Sequence, residues 1–252
     1  MPGTKNKHPY RVVVATTTGP YHKTKGLKGQ DFFAYQKNDH RIVAVVSDGA
    51  GSAKFGKIGA KYICEQLSQM LLKADFHDIR QNIIDAIESV RDMLVMHRFN
   101  KLKNESGLID FSATLVGAVY QNGKGLFFHI GDGAAIALLK KKESAFVLSE
   151  PENGIFSSET FFYTMDDWKD SLRFTSFEKA DSLFLMTDGV TGFALKKQGH
   201  LLEKGFVMPI NLFLKSETNI KKAERALKNT LETPKANALS GDDKTLMWVD
   251  LK

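Results

Sequence analysis

Hydrophobic and polar positions change their spacing several times along the chain, and each change predicts a new kind of element. Residues 10–18 and 41–47 are rich in β-branched side chains, which predicts two strands, and 31–36 predicts a shorter strand between them. Residues 19–29 carry Gly, Lys and His and are predicted to form a loop. The chain is therefore expected to begin with strands that follow one another without an intervening helix.

Two amphipathic helices are predicted next, because apolar residues then recur every three to four positions. The apolar stripe of the first helix consists of Ile58, Tyr62, Ile63, Leu67, Met70 and Leu71. The stripe of the second helix consists of Ile79, Ile83, Ile84, Ile87, Val90 and Leu94. A polar connection over 97–108 follows, and a basic amphipathic helix is predicted later, over 219–232.

The other segments return mostly to strand character. They are 111–120, 126–130, 134–140, 146–148, 172–177, 182–187 and 245–250. Turn pairs at Asn122-Gly123 and Asp132-Gly133 predict that the first four of these strands form an antiparallel meander. Residues 150–170 are predicted to be an aromatic-rich loop or flap. Strands and helices do not alternate one by one, which favours an α+β fold with antiparallel sheets over a doubly wound parallel sheet.

Composition narrows the class of protein. No Pro-, Gly- or Ser-rich linker divides the 252 residues, so we predict a single domain over 1–252 with residues 1–9 as a flexible tail. A hydrophobic content of 42% with 25% charged residues excludes a disordered chain, and the apolar runs are too short to span a bilayer. Cys64 is the only cysteine, which excludes an intrachain disulfide and a cysteine-based zinc cluster and predicts a cytoplasmic protein.

The formal net charge is +6, from 35 Lys and Arg against 29 Asp and Glu. Such an excess is compatible with nucleic acid, an anionic membrane surface or a phosphorylated ligand, and it is also small enough to have no functional meaning. The sequence has no dense Lys/Arg patch interleaved with aromatic residues, so we expect no nucleic-acid partner. We expect no membrane partner either.

Aspartates recur at the ends of predicted strands. Asp48, Asp132 and Asp188 each follow an apolar run and precede glycine, and Asp242 and Asp243 stand just before the last strand. Each Asp-Gly pair is also a common turn sequence. If the strands lie side by side, these carboxylates converge, and converging carboxylates stay ionised together only around a cation. Oxygen ligands favour Mg²⁺ or Mn²⁺, so the spacing alone is compatible with a divalent-metal hydrolase that acts on phosphate esters.

The order of short motifs adds to this interpretation. GQDFFAY, VSDGAGS, SATLV, HIGDG, MTDG and GDDKT follow one another as in the metal-dependent serine/threonine protein phosphatases, the type 2C or PPM family, which the chain therefore resembles. DGAGSAKFGKIGA at 48–60 and SSETFFYT at 157–164 are similar to segments of a compact bacterial branch of that family. The resemblance covers about residues 15–250.

The resemblance implies a four-layer αββα sandwich, in which two antiparallel sheets are flanked by helices. It implies hydrolysis of phosphoserine and phosphothreonine in proteins by a metal-activated water at a two-metal centre, without a covalent enzyme intermediate. Two Mn²⁺ or Mg²⁺ ions are the implied cofactors. A phosphorylated protein is the implied substrate, and a cognate serine/threonine kinase is a candidate partner of an enzyme that we expect to be monomeric.

The same resemblance assigns roles to individual acids. Asp48 matches the aspartate that bridges two metals, and the Gly49 carbonyl matches a ligand of the second metal. Asp188 matches a ligand of the first metal, and Asp242 matches the ligand in the last motif. Asp31 matches the acid that supports the network of metals and water.

Two further positions concern how many metals bind and how tightly. Asp132 matches an aspartate that many bacterial members use for a third metal, but Gly192 stands where third-metal binders often have Asp. A third site is therefore the least supported of these assignments. Gln30 replaces a common Glu and brings no charge, so we expect weaker binding of the second metal.

The groups that would contact the substrate phosphate also depart from the family pattern. Gly26 occupies the position of the family's arginine, so Lys25 and Lys28 are candidates for that contact, with an ordinary solvated loop as the alternative. Ala50 occupies the position of a histidine that acts as general acid in many relatives, and His22 is the candidate replacement. These departures leave a second hypothesis open, a catalytically weak or inactive relative that binds phosphoproteins or regulates a partner kinase.

Overall fold

The computed structural model describes residues 9–97, 107–140, 145–153, 160–196 and 199–252. The helices within them are α1 (Pro20–Thr24), α2 (Gly56–Lys73), α3 (Ile79–His97), α4 (Asp188–Ala194), α5 (Lys204–Ser216), α6 (Ile220–Leu231) and α7 (Pro234–Leu239). The strands are β1 (Tyr10–Thr17), β2 (Phe32–Lys37), β3 (Arg41–Ser47), β4 (Leu115–Gln121), β5 (Lys124–Ile130), β6 (Ala134–Leu139), β7 (Phe146–Ser149), β8 (Arg173–Glu178), β9 (Ala180–Met186), β10 (Leu195–Lys196), β11 (Leu201–Leu202) and β12 (Lys244–Leu251).

Two five-stranded sheets form the centre of the fold. The first sheet has the strand order β1-β12-β9-β6-β7, and the second has the order β2-β3-β4-β5-β8. Neighbouring strands are antiparallel throughout both sheets. β10 and β11 form a small separate pair. The predicted α+β class with antiparallel sheets is therefore confirmed.

Three hydrophobic clusters show how the layers are stacked. Side chains such as Val12 and Ala44 pack between the two sheets. The outer face of the second sheet packs on α2 and α3, through residues such as Ile63 and Ile87. The outer face of the first sheet packs on α4, α5 and α6 around Trp248. The molecule therefore has the αββα order of layers that was predicted, and its central strands are apolar on both faces because both faces are covered.

The predicted meander is wrong at its middle connection, between β5 and β6, whereas its pairs β4–β5 and β6–β7 are present. The Asn122-Gly123 turn joins β4 to β5 as expected, with both residues in the left-handed region (φ 50° and 85°). After β5, however, the chain turns at Gly131 (φ 105°), and β6 pairs with β7 and β9 in the other sheet. Asp132-Gly133 is thus a crossing between sheets, which a local turn signal cannot distinguish from a hairpin.

Several helices are absent from the sequence prediction. The short helix α1 lies inside the predicted loop 19–29, and α4 begins at Asp188, where the pattern predicts only the end of a strand. α4 and α7 are too short to show a helical period. α5 contains Pro209 and many apolar residues, and together these hide its helical period.

Some predictions fall outside the described residues. They concern the N-terminal tail as far as residue 8, the polar connection at 98–106, and residues 154–159 of the predicted flap, which include the first three positions of SSETFFYT. The single domain over 1–252 stays a prediction. Within the described ranges, no helix is both long enough and apolar enough to cross a membrane.

Candidate active site

The register of the second sheet brings two acids together. Phe32 of β2 pairs with Ser47 of β3, so Asp31, just before β2, lies next to Asp48, just after β3. The backbone of Asp48 is held by Thr114, because the Asp48 amide donates to Thr114 Oγ1 (3.0 Å) and the Thr114 amide donates to the Asp48 carbonyl (2.8 Å). Asp48 therefore has a fixed position at the end of its strand.

The register of the first sheet brings further acids to the same end of the sandwich. Met186 at the end of β9 pairs with Ala134 at the start of β6, and β12 pairs with β9 on its other side. The segments that carry Asp132, Asp188 and Asp242 therefore meet, and the charges of Asp132 and Asp242 both act on Asp188. The strand pairing thus explains why acids far apart in sequence form one cluster.

Asp31 and Asp48 are directly coupled at the centre of this cluster. Thr187 Oγ1 donates a hydrogen bond to Asp31 Oδ2 (2.8 Å), and Asp48 and Thr245 also lie close enough to the Asp31 carboxyl to act on its pKa as hydrogen-bonding groups. Burial raises the pKa of Asp31 to about 6, although these hydrogen bonds act in the opposite direction. Burial and the charges of Asp31 and Asp188 raise the pKa of Asp48 well above its usual range. Both carboxyls are therefore easier to protonate than free aspartate, and a bound cation would relieve the same repulsion.

The pKa values of Asp188 and Asp132 are raised as well. Burial, followed by the charges of Asp132, Asp242 and Asp31, raises the pKa of Asp188 well above its usual range. Burial also raises the pKa of Asp132, against the hydrogen bond that Thr160 Oγ1 donates to Asp132 Oδ2 (2.7 Å). Burial therefore penalises the negative charge on the four acids whose pKa values are raised, which are Asp31, Asp48, Asp132 and Asp188.

The unsatisfied oxygens of the cluster fit a hard divalent cation. Asp31 Oδ1, Asp188 Oδ1 and Gln30 Oε1 are buried and have no hydrogen-bond partner. A set of oxygen donors of this kind suits Mg²⁺ or Mn²⁺. As they stand, no three His, Cys, Asp or Glu side chains within the described ranges form a cluster arranged to hold an ion. Because burial and neighbouring charges raise the pKa values of Asp48 and Asp188, binding of a cation would compete with protonation of these carboxyls.

Asp243 is a buried carboxylate of a different kind. Its Oδ1 accepts a hydrogen bond from the Gly19 amide (2.8 Å), and its Oδ2 accepts one from the Gln30 amide (2.6 Å) and lies 3.0 Å from His22 Nδ1. These partners are 213 to 224 positions away in sequence. We call this group of contacts the Asp243 joint, and it ties the segment before Asp31 to the loop before β12.

The loop before β12 is held from inside the protein as well. Lys244 is fully buried, and its Nζ donates to the carbonyls of Ser240 (2.9 Å) and Asp242 (3.0 Å). Burial lowers the pKa of Lys244. The loop packs so closely on α4 that a Cβ at Gly189 would lie 1.9 Å from the Asp243 carbonyl oxygen, so only glycine fits there. These contacts fix the position of Asp242 relative to Asp188.

A cleft of about 1090 Å³ opens onto the acid cluster. Asp48, Asp132 and Asp188 line it, together with Thr114 and Thr160. Its walls include the apolar side chains of Leu108, Ile109, Phe161, Phe162 and Met165, and its rim carries Asp166 and Asp167. The cleft is therefore large enough for a peptide side chain and its neighbours, and it leads to the carboxylates.

The candidates for the phosphate contact lie elsewhere. Lys25 is exposed, and its Nζ donates to Tyr21 Oη (2.5 Å) and lies 3.9 Å from the centre of the same ring. Lys28 is exposed, and His22 is buried in the Asp243 joint. None of the three is among the described residues that line the cleft. Gly26 has φ 66°, so an arginine at that position would be strained. The role of these residues stays a prediction.

Sequence reasoning missed the residues that connect the acids. Thr187 Oγ1 donates to Asp31 and accepts from the Thr245 amide (3.0 Å), so it joins the ends of the two sheets. The two threonines stand inside the motifs MTDG and GDDKT, but the motif resemblance assigns neither of them a role. A lysine at the start of an otherwise apolar strand was the available signal for Lys244. No local signal marks Asp243 as a joint, because its donors are distant in sequence.

A family profile described as "Protein phosphatase 2C" matches residues 18–232 of this chain, which is more than half of its length. A search of curated protein sequences gives no match.

Similar solved structures have the same architecture. A bacterial serine phosphatase superposes with a TM-score of 0.69 at 15% identity, covering 96% of this chain and 98% of the other. The serine/threonine phosphatase Stp1 from Staphylococcus aureus has a TM-score of 0.65 at 16% identity, with 96% and 95% covered. RsbX, solved in complex with magnesium, has a TM-score of 0.60 at 13% identity, with 98% of each chain covered. At these identities the likeness establishes the fold.

Proposed function

The chain belongs to the protein phosphatase 2C family, and on that premise we propose that its converging acids form a two-metal centre for phosphoester hydrolysis. The protein is a serine/threonine phosphatase that acts on phosphorylated proteins. What is proposed is how this chain does so. The observation that supports it most is the group of carboxyls around Asp48, in which Asp48 and Asp188 have raised pKa values and Asp31 Oδ1 and Asp188 Oδ1 are buried without partners.

The residues that would hold the metals are Asp48, the Gly49 carbonyl, Asp188 and Asp242. The family depends in general on Mg²⁺ or Mn²⁺, and the similar protein RsbX was solved with magnesium. Two ions would add four positive charges where the described carboxylates repel one another. We therefore expect the acids to bind the two ions tightly, because the ions would neutralise this repulsion.

A bound metal pair would act as a Lewis acid, acidifying the attacking water and reducing the charge on the phosphate. The chain's own residues then have supporting roles. Asp31 Oδ1 is buried without a partner, and it is the proposed acceptor that orients the attacking water. Thr187 holds the other oxygen of Asp31, which keeps the free oxygen in one direction. Attack on phosphorus releases inorganic phosphate and the serine or threonine hydroxyl.

A third metal on Asp132 is a weaker part of the proposal. Asp132 Oδ2 accepts a hydrogen bond from Thr160 Oγ1, which satisfies one of its oxygens without a metal. Gly192 offers no carboxylate, and a Cβ there would meet no atom within 4 Å. Gly192→Asp would fit the available space, and tighter metal binding by that variant would support a third site.

The test is phosphate release from a phosphothreonine peptide, measured with saturating Mn²⁺ and again with a chelator. We expect turnover only with the metal, and we expect Asp48→Asn to abolish it. Asp170→Asn is the matched control, because Asp170 is an exposed aspartate outside the acid cluster. Turnover in the chelator, or full activity of Asp48→Asn, would contradict the proposed centre.

The departures at Gln30, Gly26 and Ala50 keep the weak or inactive relative as the competing outcome. A protein that binds the phosphopeptide but shows no turnover at any metal concentration would support that alternative.

Lys25, Lys28 and His22 remain the proposed phosphate contacts. The double variant Lys25→Gln/Lys28→Gln should raise KM if the two lysines act in this way. A cognate kinase partner and a monomeric state are also proposed. Dephosphorylation of the kinase tests the first proposal, and sedimentation of the pure protein tests the second.

A further inference from the structure

The rim of the cleft is acidic although the whole protein is basic. Asp166 and Asp167 line the cleft and are exposed to solvent. The described residues that line the cleft include no Lys, Arg or His. The formal net charge of +6 is therefore not what a substrate meets on entering the cleft.

The acidic rim is held in place by buried contacts. Arg91 Nη1 donates to the carbonyls of Tyr163 and Met165, both at 2.7 Å. Tyr163 is fully buried, and its hydroxyl donates to the Gly59 carbonyl (2.9 Å). Trp168, which follows Asp166 and Asp167 in the sequence, is also buried. The two carboxylates are therefore presented on a turn that needs little ordering when a ligand binds.

The charges of the rim are available to a ligand. Asp166 lies 3.9 Å from Arg91 Nη2, a distance at which an exposed pair contributes little, and its side chain is fully exposed. Asp167 has no ion-pair partner within the described ranges. Lys169, the next cation in the segment, is paired with Glu88. A cationic side chain near the mouth of the cleft would thus meet two weakly compensated carboxylates.

We propose that the rim selects phosphorylated residues that have lysine or arginine close to them in the substrate sequence. The inference rests on the proposed function, because it concerns the substrate of the same site. Asp166 and Asp167 line the same cleft as Asp48 and Asp188, so the selected basic residue lies close in sequence to the phosphorylated one in an extended peptide.

The apolar walls favour the same kind of substrate. Ile109 is 59% exposed, and Phe161 and Phe162 are half-buried beside it in the cleft. Such surfaces accept the long aliphatic stems of lysine and arginine while the charged ends reach the carboxylates. Aromatic walls also attract cations directly. An acidic flanking residue would instead meet like charge at Asp166 and Asp167.

The test uses phosphothreonine peptides of one length that differ only in the flanking residues, which are arginine, glutamine or glutamate. We expect kcat/KM for the arginine peptide to exceed that for the glutamine peptide about three- to tenfold at low salt, and the ratio to shrink in high salt. In the double variant Asp166→Asn/Asp167→Asn the ratio should fall to about one. Asp170→Asn is the matched control, and it should keep the ratio of the unmodified protein.

Two outcomes would overturn the inference, namely equal kcat/KM for all three peptides or a preference that the double variant retains. Turnover of the glutamine peptide reports on the proposed function separately from the rim. If no peptide is turned over, that function fails, and fluorescence anisotropy of the labelled peptides measures the preference of the rim in binding instead. A preference for the glutamate peptide in either measurement would also contradict the inference.

Discussion

Asp243 is buried and Asp48 is half-buried at the same end of the sandwich, and their surroundings differ in the number of hydrogen-bond donors. Asp243 receives backbone donors from Gly19 and Gln30 and contacts a histidine nitrogen. The Asp48 carboxyl instead faces other carboxyls, and desolvation together with the charges of Asp31 and Asp188 raises its pKa. Burial of the charge is common to both residues. The supply of donors separates a structural joint from a group that needs a cation.

The comparison shows how a fold can tolerate several buried acids close together. At the Asp243 joint the protein itself provides the compensation, and the result is a link between distant parts of the chain. Around Asp48 the protein leaves the compensation incomplete, and the buried oxygens of Asp31 and Asp188 stay without partners. The second arrangement lowers the stability of the protein alone, and it is the arrangement that favours binding of a cation.

The strongest way to break this comparison is Asp48→Asn. We expect kcat/KM to fall by roughly a thousandfold or more, since a proposed metal ligand is lost. In EDTA the same variant should be more stable than the unmodified protein by about 1–3 kcal/mol, because one repelling carboxyl is removed. Phosphate release and urea unfolding measure the two effects. A variant that is less stable in EDTA would remove the distinction between the two regions.

The matched substitution Asp243→Asn should have the opposite effect on stability. An amide nitrogen cannot accept the hydrogen bonds that the carboxylate accepts, so buried donors lose partners and stability falls by about 1–3 kcal/mol. Loosening of the joint should also reduce activity by moving the segment that carries Asp31. Urea unfolding in EDTA is the measurement. If Asp243→Asn unfolds at the same urea concentration as the unmodified protein, the joint does not contribute as described.

Gln30→Glu sharpens the comparison by adding a charge to the acid cluster. Gln30 Oε1 is buried without a partner, and a Cβ at Gly51 would lie 3.9 Å from it. A carboxylate there should lower the Mn²⁺ concentration for half-maximal activity several-fold and destabilise the protein in EDTA by roughly 1 kcal/mol. Gln66→Glu on α2 is the control for a general charge effect. Unchanged metal dependence would show that position 30 does not face the ions.

His129 provides the smallest test, away from the acids. Its Nδ1 lies 3.0 Å from Ser149 Oγ, and its Nε2 is buried without a partner. Burial and the charge of Arg173 lower the pKa of His129 well below 6.5. Above pH 6.5 both states are neutral there, whereas below it the unfolded chain gains a proton that the folded protein does not, so stability is lost as the pH falls.

The measurement compares urea unfolding of the unmodified protein and His129→Gln at pH 7.5 and pH 5.5. The glutamine cannot titrate, so the unmodified protein should lose about 1 kcal/mol relative to the variant over this interval. An equal pH dependence for both proteins would show that a proton enters the folded protein at His129.

The sequence predicted the strands of the central sheets well, because apolar and β-branched runs mark elements that are covered on both faces. β3 has the predicted bounds, and β12 extends the predicted strand by one residue at each end. The assignment of β6 to the first sheet was not predictable from the Asp132-Gly133 pair, since the same pair serves hairpins and crossings. The helix α4 was missed because its seven residues are too few for a periodic signal.

The chain by itself determined which residue types stand at the strand ends, and hence the acids, the glycines and the order of motifs that indicate the family. Only the tertiary structure decided which of those acids lie close enough to raise one another's pKa, which are tied by donors and which face the cleft. The physical reason is that a carboxylate's behaviour depends on its nearest donors and charges. For Asp243 those groups come from more than 200 positions away, and local sequence carries no record of them.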